Sequence, residues 1–305
     1  MTDYEKDLIT MKEAGMIKQA EFDAMWKQLH ENDAPASTEV FQEADAAQGP
    51  PTEKMVFQGL QISAGAYTAR GIREQNEDSF FLGNTAGGAK DSDQAEFIAE
   101  GEGPFFFAAA DGMGGHDAGD VASAFVVTQL LQVASRQTRP VDDAIIEAAL
   151  KGIHAELLAE ARKRGTPKMG STVAGVVLQK GNSGFFNIGD SRVYRLRHGY
   201  LQQISEDDSL SRFVPGAKKN IITNAIGAGQ ETTRVASRFS NGFAVTGDLF
   251  FMCSDGVHGA LDDETIANLL GRGGKPRDIA RAIVERAIEN DSDDNCTALV
   301  VQIGE

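Results

Sequence analysis

The chain is short of sulfur: its 305 residues include two cysteines, Cys253 and Cys296. Both fall inside runs that read as core strands, so each is expected to be a buried, reduced thiol, and a disulfide framework is excluded. Because both flank the acidic clusters described below, a redox role or soft-metal binding remains the alternative. Positive charge is scarce as well, since 29 Lys and Arg against 45 Asp and Glu leave a formal net charge of −16. Such a surface cannot neutralise a run of phosphates, which excludes general nucleic-acid binding, although a local metal site still reverses the field around itself. No apolar run approaches the ~20 residues that a membrane helix needs. The first residues, Met1-Thr2-Asp3-Tyr4-Glu5, lack the basic and apolar segments of a signal peptide. These absences together predict a cytoplasmic protein without a membrane span. What remains is 41% apolar content, enough for one large domain and a small appendage.

The appendage comes first. Tyr4, Leu8 and Met11 share one helical face, as do Phe22, Met25, Trp26 and Leu29, with Gly15 as a stop between them. This predicts a helical hairpin over residues 1–32. Neither arm is long enough to be stable alone, so the hairpin packs on the body, self-associates or docks a partner, with Trp26 as its anchor. Residues 33–53 are rich in Ala, Pro, Gln, Ser and Glu and read as a flexible linker. The main domain then covers 54–305. Strands are expected over 60–67, 78–82, 105–110, 171–178, 184–188, 192–197, 249–253 and 296–303, and helices over 119–136, 141–164, 262–270 and 275–289. Strands cluster with strands and helices follow in pairs, which predicts an α+β layered domain rather than an alternating parallel sheet. The polar, Gly-rich stretch 83–103 reads as a mobile surface loop.

Chemistry concentrates at three acidic clusters: Asp111-Gly112, Ser254-Asp255-Gly256 and Asp294-Asn295. Each borders an apolar strand, and carboxylates at the mouths of central strands tend to converge. Two of them ~4 Å apart repel by roughly 4 kcal/mol at an effective dielectric of 20. Such a cluster holds protons or hard cations, and an oxygen-only donor set suits Mg²⁺ or Mn²⁺. A cation-dependent hydrolase is the reading that follows. The glycines of Asp111-Gly112-Met113-Gly114-Gly115-His116 permit close backbone approach to a ligand and leave a carbonyl available as a metal ligand. Arg73-Glu74-Gln75-Asn76-Glu77-Asp78 taken alone is an ordinary charged turn, and Gly189-Asp190-Ser191 an ordinary hairpin turn. It is their joint occurrence, in this order and with these strands, that carries weight.

Six blocks, Arg-x-x-Asn-Glu-Asp, Asp-Gly-Met-Gly-Gly-His, Gly-Ser-Thr, Gly-Asp-Ser-Arg, Ser-Asp-Gly and Asp-Asn-x-Thr, spread over residues 60–303, resemble a bacterial metal-dependent protein phosphatase of the type 2C family. The resemblance implies a central β-sandwich of two antiparallel sheets flanked by pairs of α-helices, with the metal site at one end of the sandwich. It implies hydrolysis of phosphoserine and phosphothreonine in proteins by a metal-activated water, without a covalent intermediate. It further implies two Mn²⁺ or Mg²⁺ ions and a weaker third. Asp111 would bridge two ions, with the Gly112 carbonyl on one and Asp255 and Asp294 on the other, while Glu77 and Asp78 hold waters outside them. Asp190 and Asp255 would form the third site. Arg73 would grip the substrate phosphate through its planar fork, and His116 would protonate the leaving alkoxide. Phosphorylated proteins and a cognate serine/threonine kinase are the implied partners. Two departures stand out: Asp207-Asp208-Ser209 replaces the expected Asp-His-Ser, and the segment after it, residues 210–220, is short. Arg70 adds a second basic residue near Arg73. The alternative is a catalytically silent scaffold or sensor acting through its N-terminal hairpin. A degenerate member is expected to lose its aspartates, and Asp111, Asp255 and Asp294 are all present.

Overall fold

Strand β5 (Phe105–Met113) shows how the sequence sets the layers. Its side chains alternate between faces: Phe106, Ala108 and Ala110 join one buried cluster, and Phe107 and Ala109 another. A strand covered on both faces needs no polar residue, hence the uninterrupted apolar run from Phe105 to Ala110. The computed structural model describes residues 59–114, 118–210 and 221–304. The expected hairpin at 1–32, the linker at 33–53, His116 and residues 211–220 lie outside these.

One antiparallel sheet has six strands. From edge to edge they are Tyr200–Gln203 (β10), Arg192–Arg197 (β9), Leu249–Cys253 (β13), Cys296–Ile303 (β14), Leu60–Ala69 (β1) and Asp93–Gly101 (β4). The second has eight, in the order Ile226–Gly227 (β11), Gly170–Ser171 (β6), β5, Val173–Leu178 (β7), Asn182–Ile188 (β8) and Ala236–Asn241 (β12). Asp78–Leu82 (β2) pairs with β5, and Thr85–Gly88 (β3) with β2. Between the sheets lie Ile62, Phe80, Leu82, Phe107, Val176, Phe250, Leu299 and Val301. Helices α1 (Gly119–Arg136) and α2 (Asp143–Arg164) cover the outer face of the second sheet. The four-residue α3 (Asp255–His258), then α4 (Asp263–Leu270) and α5 (Pro276–Glu289), cover that of the first. The fold is α+β, a two-sheet sandwich between helical layers. Helix α2 starts where Asp142 accepts from the Ile145 N–H at 2.9 Å, and α4 where Asp262 accepts from that of Thr265 at 2.8 Å.

Residues 83–103 are not the loop that their polarity predicts. They supply β3 and β4, and β4 pairs with β1 from Leu60↔Gly101 to Thr68↔Asp93. Only one face of β4 is packed, so Ala95 and Phe97 turn inward while Gln94, Glu96, Ile98 and Glu100 are exposed. The Phe97 ring meets those of Phe105 and Phe107 edge-on, at centroid distances of 6.0 and 5.7 Å. The strand expected over 171–178 is also interrupted, at Thr172. Its N–H turns to the Asp111 carbonyl (2.8 Å) and its hydroxyl accepts from the Asp111 N–H (3.0 Å).

Candidate active site

The acidic clusters gather because the register of both sheets delivers them to one end. Asp78 and Asp111 face each other directly across β2 and β5. Asp255 lies two residues beyond the end of β13 and Asp294 two before the start of β14, and these strands are neighbours. Ser254 ties the sheets together: its hydroxyl donates to Asp78 Oδ2 at 2.6 Å and accepts from the Thr297 N–H at 3.0 Å. Asn295 fastens the Arg73 loop. It accepts from the Glu77 N–H at 2.8 Å and donates to the carbonyls of Arg70 and Gln75, both at 2.9 Å.

Burial and mutual repulsion dominate the electrostatics. Asp78 is fully buried, and its carboxyl is pushed up to about 7, chiefly by desolvation, against the pull of the Ser254 and Thr297 hydrogen bonds. Asp111 is driven well above the carboxylate range by burial and then by Asp78, Asp255, Asp190 and Asp294. Asp255 rises to about 6 through burial and Asp294, tempered by a hydrogen bond with the Asp111 carboxyl. Asp190 rises to about 8 through burial, Asp255 and Asp207. Glu77 and Asp294 are raised as well, each chiefly by burial. Asp78 Oδ1, Asp190 Oδ1 and Asp255 Oδ1 are buried without a hydrogen-bond partner. Three orphaned carboxylate oxygens that repel one another fit hard divalent cations, and the absence of sulfur or imidazole from this set favours Mg²⁺ or Mn²⁺ over zinc. The cluster is not a ready-made cage: among the described residues no three His, Cys, Asp or Glu side chains stand close enough to hold an ion together.

The remaining expected residues fall around this cluster. The Gly112 N–H donates to the Glu77 carbonyl at 3.1 Å. A Cβ on Gly112 would lie 1.9 Å from the Gly119 carbonyl oxygen, and one on Gly119 would lie 2.5 Å from the Glu77 carboxyl. Glycine at both positions lets β5, the start of α1 and Glu77 meet. Arg73 lies against the cluster, its Nε donating to the Asp293 carbonyl and its Nη2 to Asp294 Oδ2, both at 2.7 Å. Arg70 turns elsewhere, donating to the Arg73 carbonyl at 3.0 Å and pairing with Asp91 at 3.5 Å. Cys253 and Cys296 are buried free thiols, and burial pushes Cys296 up to about 12 and Cys253 higher. His258 meets the Asp190 carbonyl at 3.0 Å; burial, then Arg192, pushes it down to about 4, so it is neutral near pH 7.

Sequence reasoning assigned no role to Ser254, Thr172, Asn295 or Thr297. These hydroxyls and amide hold the aspartates and the Arg73 loop in place, and their signal is a short polar residue set in an apolar strand or at its mouth. Asp208, at the expected histidine position, is buried with its own counter-charge. Arg234 reaches Oδ1 at 2.5 Å, and Asn224 and the Gly189 N–H reach Oδ2 at 2.7 and 3.1 Å.

A family model described as protein phosphatase 2C matches residues 84–284. The serine/threonine protein phosphatase PstP of Mycobacterium tuberculosis is 28% identical over 258 residues, covering 80% of this chain and 45% of that protein. The chain therefore spans less than half the length of that curated relative. The serine/threonine phosphatase stp of Listeria welshimeri is 28% identical over 210 residues, 63% of this chain and 82% of the relative. Among solved structures, the catalytic domain of PstP in complex with two manganese ions superposes with a TM-score of 0.65 at 28% identity, covering 81% of this chain and all of that one.

Proposed function

The chain belongs to the protein phosphatase 2C family, and from that premise we propose that it hydrolyses phosphoserine and phosphothreonine in proteins at the acidic end of its sandwich. The observation that carries this reading is the set of buried carboxylate oxygens left without partners, Asp78 Oδ1, Asp190 Oδ1 and Asp255 Oδ1. They stand beside an arginine that already bonds Asp294.

In this reading Asp111, Asp255, Asp294 and the Gly112 carbonyl hold two Mn²⁺ or Mg²⁺ ions. Glu77 and Asp78 act from just outside them, and Asp190 with Asp255 takes a weaker third. Bound there, such ions acidify water and neutralise phosphate charge. The chain's own residues do the rest. Arg73 presents a planar fork beside the cluster, suited to two phosphate oxygens at once. Arg70, through the Arg73 carbonyl, stiffens the loop that aims it. Ser254 fixes which Asp78 oxygen remains available, and Thr172 fixes the backbone of Asp111. His116 is the proposed proton donor to the leaving alkoxide; neutral His258, engaged with a carbonyl, is unsuited to that role.

A scaffold without activity is disfavoured, since Asp111, Asp255 and Asp294 are all retained. Among the described residues no helix is long and apolar enough to cross a membrane. A cytoplasmic enzyme opposing a serine/threonine kinase, with an N-terminal hairpin over 1–32 that recruits a partner or self-associates, completes the proposal. The test is phosphate release from a phosphothreonine peptide after chelation and after Mn²⁺ is restored. Release is expected only with the cation and is expected to fall at least ~100-fold in Asp111→Asn. Full activity in that variant sinks the assignment. The same assay with an aryl phosphate, on protein lacking residues 1–52, is expected to retain full turnover, and its loss would make the hairpin part of the catalytic body.

A further inference from the structure

Ile72 sits at the tip of a turn where apolar residues are uncommon. The turn runs from Arg70 to Arg73 and is closed by the Arg73 N–H donating to the Arg70 carbonyl at 3.2 Å. Gly71 occupies its first central position with φ +61°, and Ile72 the second, ordinarily the place of Gly, Asn, Asp or Ser. Ile72 is 76% exposed. Folding gains almost nothing from so exposed a side chain.

The turn cannot fold this residue away, because it is held on every side. Arg70 Nη1 donates to the Arg73 carbonyl at 3.0 Å, Asn295 Nδ2 donates to the Arg70 carbonyl at 2.9 Å, and Arg73 Nε donates to the Asp293 carbonyl at 2.7 Å. A Cβ on Gly71 would lie 2.8 Å from the Asp294 carbonyl oxygen, so the turn rests directly on the backbone of the acidic cluster. Single exposed apolar residues are ordinary on protein surfaces; this one is distinguished by its place, next in sequence to the arginine that faces the cluster, on a rigid support.

We propose that Ile72 selects protein substrates by packing against an apolar side chain beside the phosphorylated residue. The inference rests on the phosphatase reading above. With the substrate phosphate gripped by Arg73, a substrate chain advancing ~3.3–3.8 Å per residue sets its flanking side chain about one residue away, the same offset that separates Ile72 from Arg73. The surrounding charge narrows the choice without making it: Glu74 and Asp293 are exposed beside the turn, so acidic flanks are repelled, and it is the isoleucine itself that favours an apolar flank over a neutral polar one.

The experiment compares two phosphothreonine peptides that differ only in carrying Leu or Ser at both positions flanking the phosphothreonine. The enzymes are the full chain, Ile72→Ser, and Glu74→Ser as a neighbouring control, all with Mn²⁺. The wild type is expected to favour the Leu peptide in kcat/KM by about fivefold to tenfold, mainly through KM, as burial of part of one isoleucine allows. Ile72→Ser is expected to bring the ratio close to one, and Glu74→Ser to retain it. All three are expected to share one melting temperature, since both replaced side chains are exposed. Equal rates on the two peptides in the wild type, or a preference that survives Ile72→Ser, overturns the inference and leaves the phosphatase reading standing. No release from either peptide by the wild type overturns both.

Discussion

Among the described residues Asp111 carries the sharpest conflict: it is partly buried, it shares a hydrogen bond with Asp255, and Asp78, Asp190 and Asp294 all act against its ionisation. Without cations the cheapest relief is a proton, which the fold retains to unusually high pH. An asparagine of nearly the same shape is neutral without taking up that proton on folding, and can still donate to Asp255. Asp111→Asn is therefore expected to raise the melting temperature of the chelated protein by a few degrees near pH 8, while removing the stabilisation that Mn²⁺ adds to the wild type. Differential scanning calorimetry in chelator and in Mn²⁺ reads both effects. An unchanged or lower melting temperature in chelator would mean that the carboxylates are less crowded than their shared burial indicates.

Among the elements, the start of α1 has the most direct bearing on the site. Gly119 opens that helix at a point where a methyl group would strike the Glu77 carboxyl at 2.5 Å and the Gly112 carbonyl oxygen at 2.8 Å. In an unconstrained helix, Gly→Ala stabilises by about 0.5–1 kcal/mol. Here the sign is expected to reverse, and Mn²⁺ affinity is expected to fall about tenfold, the usual scale for disturbing groups that orient metal ligands. Isothermal titration of Gly119→Ala with Mn²⁺ measures this, and wild-type affinity would show that the glycine serves packing alone. The elements also show what was legible in the sequence. β5, β13 and β14 announce themselves because both faces are buried and their runs are mostly apolar, and α2 and α4 through their helical periodicity, with Asp142 and Asp262 found as caps in the structure. β4 is hidden because an edge strand with one packed face spends every second residue on Gln94, Glu96, Ile98 and Glu100, which leaves a composition like that of a loop. The aspartates are legible through their glycines and strand borders. Ser254 and Asn295 are not, because their importance lies in partners at Asp78 and Arg70, far away in sequence.

At the scale of the whole molecule, the acidic end of the sandwich makes stability depend on pH in a direction opposite to that of most acidic proteins. Ordinary exposed carboxylates have finished ionising by about pH 5, so further change up to pH 8 comes mainly from the buried set, set against a smaller opposite contribution from His258, which burial keeps neutral in the fold. Burial pushes Asp255, Asp78 and Asp190 up to about 6, 7 and 8 in the fold, against about 4 for an unfolded chain. A folded-state value above the unfolded one means that the fold binds the proton more tightly. The stability these groups contribute is therefore complete below about pH 4 and is lost as pH rises through their folded values. The chelated protein is expected to lose melting temperature steadily between pH 5 and 8. Saturating Mn²⁺ supplies the counter-charge that protons no longer provide, so the loss is expected to flatten or reverse over the same interval. Asp190→Asn removes the group with the highest of the three values and is expected to make the chelated profile shallower throughout and nearly level between pH 7 and 8. Melting curves in chelator and in Mn²⁺ across this range decide the matter: a level profile in chelator would mean that these carboxylates stay ionised through compensation from within the fold, and the case for cations at this end of the sandwich would lose its electrostatic support.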